Sequence, residues 1–421
     1  MGNHIMPSII RATTTNGLQV APDNSGSLVL QTNGTTTALT IDTSQNTTLA
    51  GRLTTASSGI QFSDSSVQSS AASPFGLKNR IINGDMVIDQ RNAGASITQT
   101  TGSLFPVDRF IISGSVGSKF TAQQNAGSVT PPVGFTNYLG ITSSSAYSVT
   151  GNDAFQVYQV IEGFNVADLA WGTANAQACT LSFWVRSSLT GTFGGSIATT
   201  KTALWVLPFT YTISSANTWT FISVSITAPT STGGTNNDNT AGAFVRFGLG
   251  STGTAVGGTA GTWTNAGNYV QPSGTVSVVG TNGATFYITG VQLERNTTAT
   301  PFEWIPYTTE LQLCQRYYYR LGGSSTNEFV ATGLAFNSTR FFTSTYLKAS
   351  MRASPTSVEY SNLRIQNIGA AFTVTAVVLS GNQGKEIGAT EMNVASGLIA
   401  NGYYYADTSS TSGYLAFNAE L

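Results

Sequence analysis

The sequence predicts an all-β chain. Three observations carry that expectation. Only 9% of its 421 residues are charged, and Gly, Thr, Ser and Asn fill the gap. Apolar residues recur at a spacing of two, the period of a strand with one buried face. Short clusters of Gly, Asn, Asp and Ser punctuate those runs, as turns between strands require. The expected order is a repetitive N-terminal β shaft, a central jelly-roll β-sandwich, a short connecting helix and a C-terminal β tip.

Residues 1–75 form the repetitive segment. Leu18/Val20, Leu28/Leu30, Leu39/Ile41, Leu49 and Ile60/Phe62 begin ten or eleven residues apart. Turn clusters such as Pro22–Gly26, Thr32-Asn33-Gly34 and Asp42–Asn46 separate them. Two apolar side chains per unit cannot bury a core within one chain. Such repeats must stack or wind with other chains, so a slender shaft is expected. The alternative is an irregular linker, which the composition also suits. Met1–Ile5, ahead of Met6-Pro7, reads as a cloning remnant and is left out of the fold argument.

Residues 76–307 hold longer, more aromatic runs. Arg109–Ser113, Phe155–Ile161, Thr180–Arg186, Leu204–Ile213, Trp219–Ile226, Ala243–Leu249 and Ala284–Leu293 are the expected strands, enough for a sandwich. Gly250–Asn268 reads as a long surface loop. At 308–321 Thr309 is placed to cap a helix, with Leu311, Cys314 and Tyr318 on one face and Gly322 as its stop. Residues 322–421 return to strands: Phe329–Phe336, Arg340–Leu347, Ser357–Tyr360, Phe372–Leu379, Gly402–Ala406 and Tyr414–Phe417.

Charge and composition narrow the chemistry. With 18 basic and 19 acidic residues and no Lys/Arg run, no nucleic-acid partner is expected. No stretch reaches the length of a membrane-spanning helix, so no membrane insertion is expected. One His argues against His-based catalysis and metal binding. Cys179 and Cys314 read as buried thiols. No nucleophile elbow, phosphate loop or zinc motif is present. Asp85 with Asp89, or Glu294 with Glu303, are the pairs from which glycoside hydrolysis would have to be built. Asn83 and Asp85 would be the weak start of a calcium site. Their plainer reading is turns and strand ends, so no catalytic residue, metal or cofactor is expected.

Binding is the better candidate. Sugars offer apolar C–H faces and hydroxyls, which aromatic rings and Asn, Gln or backbone groups hold. Trp184, Trp219 and, less clearly, Trp205 sit in apolar strands and read as core. Trp304 reads as an interdomain plug. Trp171 and Trp263 lie in polar, Gly-containing surroundings and are candidate exposed ligand contacts. So is the run Tyr403-Tyr404-Tyr405, in which strand alternation puts Tyr404 opposite its neighbours.

Three segments together carry a resemblance. They are Asn79–Asn92 followed by Val107-Asp108-Arg109-Phe110; Leu181–Arg186; and Phe286–Glu294, continuing through Ala299–Glu303 to Glu310–Tyr318. In order and spacing they resemble bacteriophage tail fibres and related receptor-binding virion proteins, over roughly residues 79–320. The middle domain looks like a carbohydrate-binding jelly roll. The resemblance implies that Asn79–Asn92 forms the first strand and Val291-Gln292-Leu293-Glu294 the last. It implies a homotrimer assembled in the host cytoplasm and working on the virion exterior. Its partners would be other tail proteins at the N-terminal segment and a host cell-surface polysaccharide or lipopolysaccharide. Other readings are a capsid decoration or tail adaptor protein without glycan affinity, and a polysaccharide-depolymerising tailspike. The shaft expectation has a direct check. Light scattering should give three times the chain mass at micromolar concentration for the full chain, and that trimer should weaken once residues 1–75 are removed. A monomeric full-length chain removes the shaft.

Overall fold

The computed structural model describes residues 28–32, 36–50, 60–61, 67–68, 77–201 and 203–421. The chain divides into two compact units, Met1–Pro74 and Phe75–Leu421.

In the first unit Leu28–Thr32, Thr36–Ile41 and Thr47–Leu49 form a three-stranded antiparallel sheet. The register sets the apolar pairs against each other: Leu28 faces Ile41, Leu30 faces Leu39, and Leu39 faces Leu49. Successive repeats therefore fold back on one another. Leu30 and Leu49 stay exposed, while Leu39 and Ile41 are half-buried. Asp42 fixes the last turn, accepting from the Ser44 and Asn46 N–H groups at 2.8 and 2.9 Å. Leu18, Val20 and Phe62 lie outside the described residues.

The second unit opens with a sandwich of two six-stranded antiparallel sheets. One runs in the order Thr220–Ile226, Cys179–Ser187, Thr285–Glu294, Leu139–Ser143, Phe120–Gln124, Ile97–Thr98. The other runs Trp205–Ile213, Gly191–Thr199, Ala241–Ser251, Ala154–Glu162, Phe110–Gly114, Leu104–Val107. Inward-facing residues of both sheets make one core, with Phe183 edge-on to Phe247 at 5.0 Å and to Tyr211 at 5.1 Å. Every sandwich strand expected from the sequence is present within a few residues of its expected bounds.

Gly191–Thr199 carries no apolar alternation, yet it is a full strand. Residues 252–284 explain it. That segment is a strap laid on the second sheet, more than a loop. At Gly194 a Cβ would meet Pro272 and Thr275 at 2.9 Å, and at Gly248 it would collide with Gln271. Glycine lets the strap approach the strands closely. The Ser196 hydroxyl then donates to the Tyr269 carbonyl at 2.9 Å.

Asn79–Asn92 is not the first strand that the resemblance implies. It is a chain of turns, with Asn83 and Met86 at φ 61° and 60°. The buried Asn83 amide organises it, donating to the Ile88 and Asp108 carbonyls at 2.9 Å and accepting from the Ile88 N–H. The helix is also shorter than expected. It spans Tyr307–Gln315, begins after Pro306 and has no side-chain cap, so Thr309 lies inside it. Tyr318–Gly322 is a strand paired with Tyr414–Asn418, and Tyr318 does not share a helix face with Leu311 and Cys314. Three successive tyrosines favour a pleated backbone, which sends neighbours to opposite sides.

After the helix, Phe329–Ala335, Arg340–Tyr346, Ile387–Val394, Ala370–Leu379, Leu363–Asn367 and Tyr403–Thr408 close a barrel in that order. Tyr318–Gly322, Tyr414–Asn418 and Ser357–Ser361 form a small sheet, whose Leu415 and Phe417 join the barrel core. Cys179 and Cys314 are buried free thiols, and burial pushes the Cys179 thiol up to about 12. Among the described residues no helix is long and apolar enough to cross a membrane.

A buried polar staple holds barrel to sandwich. Glu420 pairs with the buried Arg109 and with Arg91. Arg352 donates to the Ala419 and Glu420 carbonyls at 2.9 and 3.0 Å. Glu162 of the sandwich takes both arms of Arg316, at 2.8 and 2.5 Å, and the Tyr317 hydroxyl at 2.6 Å. Burial alone would raise the Glu162 pKa, but these donors outweigh it and hold the carboxyl below its usual range. Glu420→Ala strands Arg109 without its carboxylate, and the expected cost is about 3–5 kcal/mol in denaturant unfolding.

Two carboxyls respond to pH in the opposite sense. Burial lifts Glu310 to about 7, against an ordinary value of 4.5, and Asp108 to about 6, against 3.8. A raised folded pKa gives stability that is full below the unfolded value and lost as pH rises through the folded one. Acidification from about pH 8 to about pH 5 should therefore raise the melting temperature. Glu310→Gln keeps an oxygen for the Asn83 N–H that now donates to Glu310. It should raise stability at about pH 8 and flatten that rise, and a variant with the parent's pH profile would refute this.

Candidate functional site

The strand Tyr403–Thr408 lies between Phe329–Ala335 and Leu363–Asn367 in the barrel wall. Its pleat separates the three candidate tyrosines. Tyr404 is 5% exposed, lies near Phe341 and Phe372, and accepts the Ile399 N–H on its hydroxyl oxygen at 3.0 Å. It is a core residue, so the ligand-contact reading fails for it. Tyr403 and Tyr405 face outward, 82% and 38% exposed.

Cross-strand register builds a surface around them. Tyr405 sits opposite Thr332 on one side and Gln366 on the other, and Tyr403 sits opposite Leu334. Phe329 stacks on Tyr405, with centroids 6.3 Å apart and planes 26° apart. The turn Asn367-Ile368-Gly369-Ala370 raises one edge, with Asn367 paired to Ala370 and Gly369 at φ 100°. Ile368 stands fully exposed at its tip. Together these residues line a groove of about 690 Å³.

No charged side chain lines the groove. Asp407, on the same strand, is buried and neutralised by Arg364 at 2.9 Å, and it also accepts from Gln366 Nε2 at 2.6 Å. The Asn367 amide oxygen is buried with no hydrogen-bond partner. Phe329, Gln366, Asn367 and Ile368 escaped the sequence reading. One signal was available: an isoleucine before a glycine at a turn, where a polar residue is usual.

Trp171 and Trp263 lie elsewhere, against the sandwich core. Trp171 is only 3% exposed and donates its indole N–H to the Gln177 carbonyl at 2.8 Å. Trp263 packs edge-on against it at 5.6 Å and donates to Thr227. The polar neighbours of Trp171 form turns that bury its indole, so it is not an exposed ligand contact, whereas Trp263 is half-buried against the same core. The reverse error occurs at Trp184 and Trp219, which are half-buried rather than core. Trp304 plugs nothing; it is exposed beside Phe135 and Phe302, at 4.8 and 5.0 Å. With Trp184 and Phe221 this trio lines a second groove of about 410 Å³ on the sandwich.

The carboxylates weighed for catalysis hold the chain in place. Asp89 accepts from the Asn92 and Gly94 N–H groups, Glu303 from the Asn79 N–H, and Glu294 from the Thr300 N–H and hydroxyl. Asp85 is raised by burial. Among the described residues, no group of three or more His, Cys, Asp or Glu is placed to hold a metal ion.

No family model matches the chain. No curated protein matches it. Solved structures similar to part of it include the enzymatically active domain of bacteriophage CBA120 tailspike protein 4, at 14% identity and a TM-score of 0.29, covering 51% of this chain. This chain spans only 21% of that tailspike. A putative sugar-binding protein from Bacteroides thetaiotaomicron is similar over 52% of this chain and all of its own length, at 12% identity and a TM-score of 0.29. A family 11 carbohydrate-binding module from Clostridium thermocellum covers 48% of this chain and 97% of its own, at 11% identity and a TM-score of 0.24. At such scores these likenesses assign neither a residue nor an activity.

Proposed function

We propose that this chain is a structural virion protein, a phage tail fibre that attaches the particle to a host cell-envelope glycan through the barrel groove. The observation that carries this reading is the uncharged groove built on Tyr403, Tyr405 and Phe329. Exposed aromatic faces beside amide side chains suit a sugar ring. The aligned apolar pairs of the N-terminal sheet, with Leu30 and Leu49 exposed, support a shaft made from several chains. The chain is read as a homotrimer, assembled in the host cytoplasm and joined to other tail proteins through residues 1–75. Three grooves per fibre offset a weak single-site affinity by multivalency. The protein is read as non-catalytic, since the carboxylates it offers are spent on backbone.

The test is binding of the full-length protein to a panel of bacterial envelope polysaccharides, lipopolysaccharide included. Tyr405→Ala should weaken monovalent binding about tenfold or more through lost stacking and apolar contact. Trp263→Ala should leave the affinity unchanged. Absence of binding by an intact trimer would favour a decoration or adaptor protein. Appearance of new reducing ends would favour a depolymerising spike.

A further inference from the structure

Apolar surface is concentrated on the outside of the barrel. More than half of the large apolar side chains exposed among the described residues lie between Phe329 and Tyr405. The groove takes Phe329, Ile368, Tyr403 and Tyr405. Most of the others mark a second wall. On the strand Arg340–Tyr346 the pleat turns Phe342, Ser344 and Tyr346 outward. Leu334 sits opposite Phe342 on one side, and Ile387 sits opposite Tyr346 on the other. Phe336 meets Phe342 edge-on at 5.8 Å. Tyr346 is 81% exposed and Phe336 62%.

The size of this wall matters. With about 150–250 Å² for a whole aromatic side chain, the exposed fractions of Leu334, Phe336, Phe342, Tyr346 and Ile387 amount to roughly 600 Å². That equals the largest apolar patches of ordinary monomers, which are often functional. It is also most of the about 800 Å² that each partner of a standard interface buries.

Charge narrows what covers it. Arg340 and Glu391 stand on the wall but pair with each other at 2.7 Å, and the Arg340 guanidinium lies 5.2 and 5.4 Å from the Phe336 and Phe342 rings. Lys385 and Glu386, exposed beside Ile387, give the border both signs. A second copy of this surface is therefore not repelled by the first. The N-terminal sheet also leaves Leu30 and Leu49 exposed. One kind of partner covers both surfaces if that partner is this same chain.

Resting on the homotrimer reading, we propose that the copies meet through this wall, with Phe336, Phe342 and Tyr346 of each chain packed around the threefold axis against the same residues of its neighbours. Around such an axis one patch can contact its own counterparts. Leu334 belongs to both wall and groove, so each groove opens beside the interface.

The experiment uses the full-length protein. Cys179 and Cys314 are buried, so a cysteine introduced at the surface is the one that a maleimide reaches. Tyr346→Cys should be joined between chains by a short bis-maleimide at micromolar concentration. Ile368→Cys is the control, because Ile368 follows Leu363–Asn367, the strand across the barrel from Arg340–Tyr346. It should stay single-chain. The double variant Phe336→Glu, Tyr346→Glu sets like charges around the axis and should weaken self-association by about a hundredfold or more in light scattering. Both residues are well exposed, and an unchanged melting profile of the separated chains would show that the fold survives. The cross-linking arm does not depend on that variant. A trimeric parent whose Tyr346→Cys form stays single-chain, or whose Ile368→Cys form cross-links equally well, overturns the proposed wall and leaves the homotrimer standing. A monomeric parent overturns both.

Discussion

The second unit depends on charge taken out of water. Arg109 is buried at φ 69°, and its guanidinium lies over the Tyr317 ring and reaches both Glu420 and the Val160 carbonyl. A buried cation is tolerated only when its donors are met. Glu420 meets one of them and the Val160 carbonyl another, and Arg352 fixes the backbone that carries Glu420. The barrel therefore cannot shift on the sandwich without exposing unpaired charge. Tyr317 belongs to both halves of the staple, joining Arg109 through its ring and Glu162 through its hydroxyl.

That rigidity bears on the groove. The strand Tyr318–Gly322 leaves the staple and pairs with Tyr414–Asn418, whose Leu415 and Phe417 enter the barrel core. Tyr404 packs in the same core. A single packed path thus runs from the staple to the residue between the two exposed tyrosines. Preorganised aromatic platforms lose less entropy on binding than mobile ones.

Strands were the most legible part of the sequence, because alternation is a local signal. Ala154–Glu162 and Cys179–Ser187 can be read from their side chains alone. Gly191–Thr199 could not be, since Gly191 and Gly194 answer to a strap that is distant in sequence. Asn79–Asn92 failed for a related reason: its shape is set by one asparagine reaching the Asp108 carbonyl, a non-local bond. At the site, alternation correctly set Tyr404 apart from Tyr403 and Tyr405. Trp171 misled because polar neighbours in a turn say nothing about where the turn folds. Asn367 was invisible, as no pattern within a strand announces an amide that the rest of the chain leaves unpaired.

The period-two pleat of Tyr403–Thr408 divides labour along a single strand. Tyr404 and Ala406 answer to the barrel core, whereas Tyr403 and Tyr405 face outward. Tyr403 and Tyr405 can therefore be exchanged for other side chains without disturbing the packing around Tyr404. Such a surface is free to change its side chains while the scaffold beneath it stays constant, so surface chemistry and fold can evolve at different speeds.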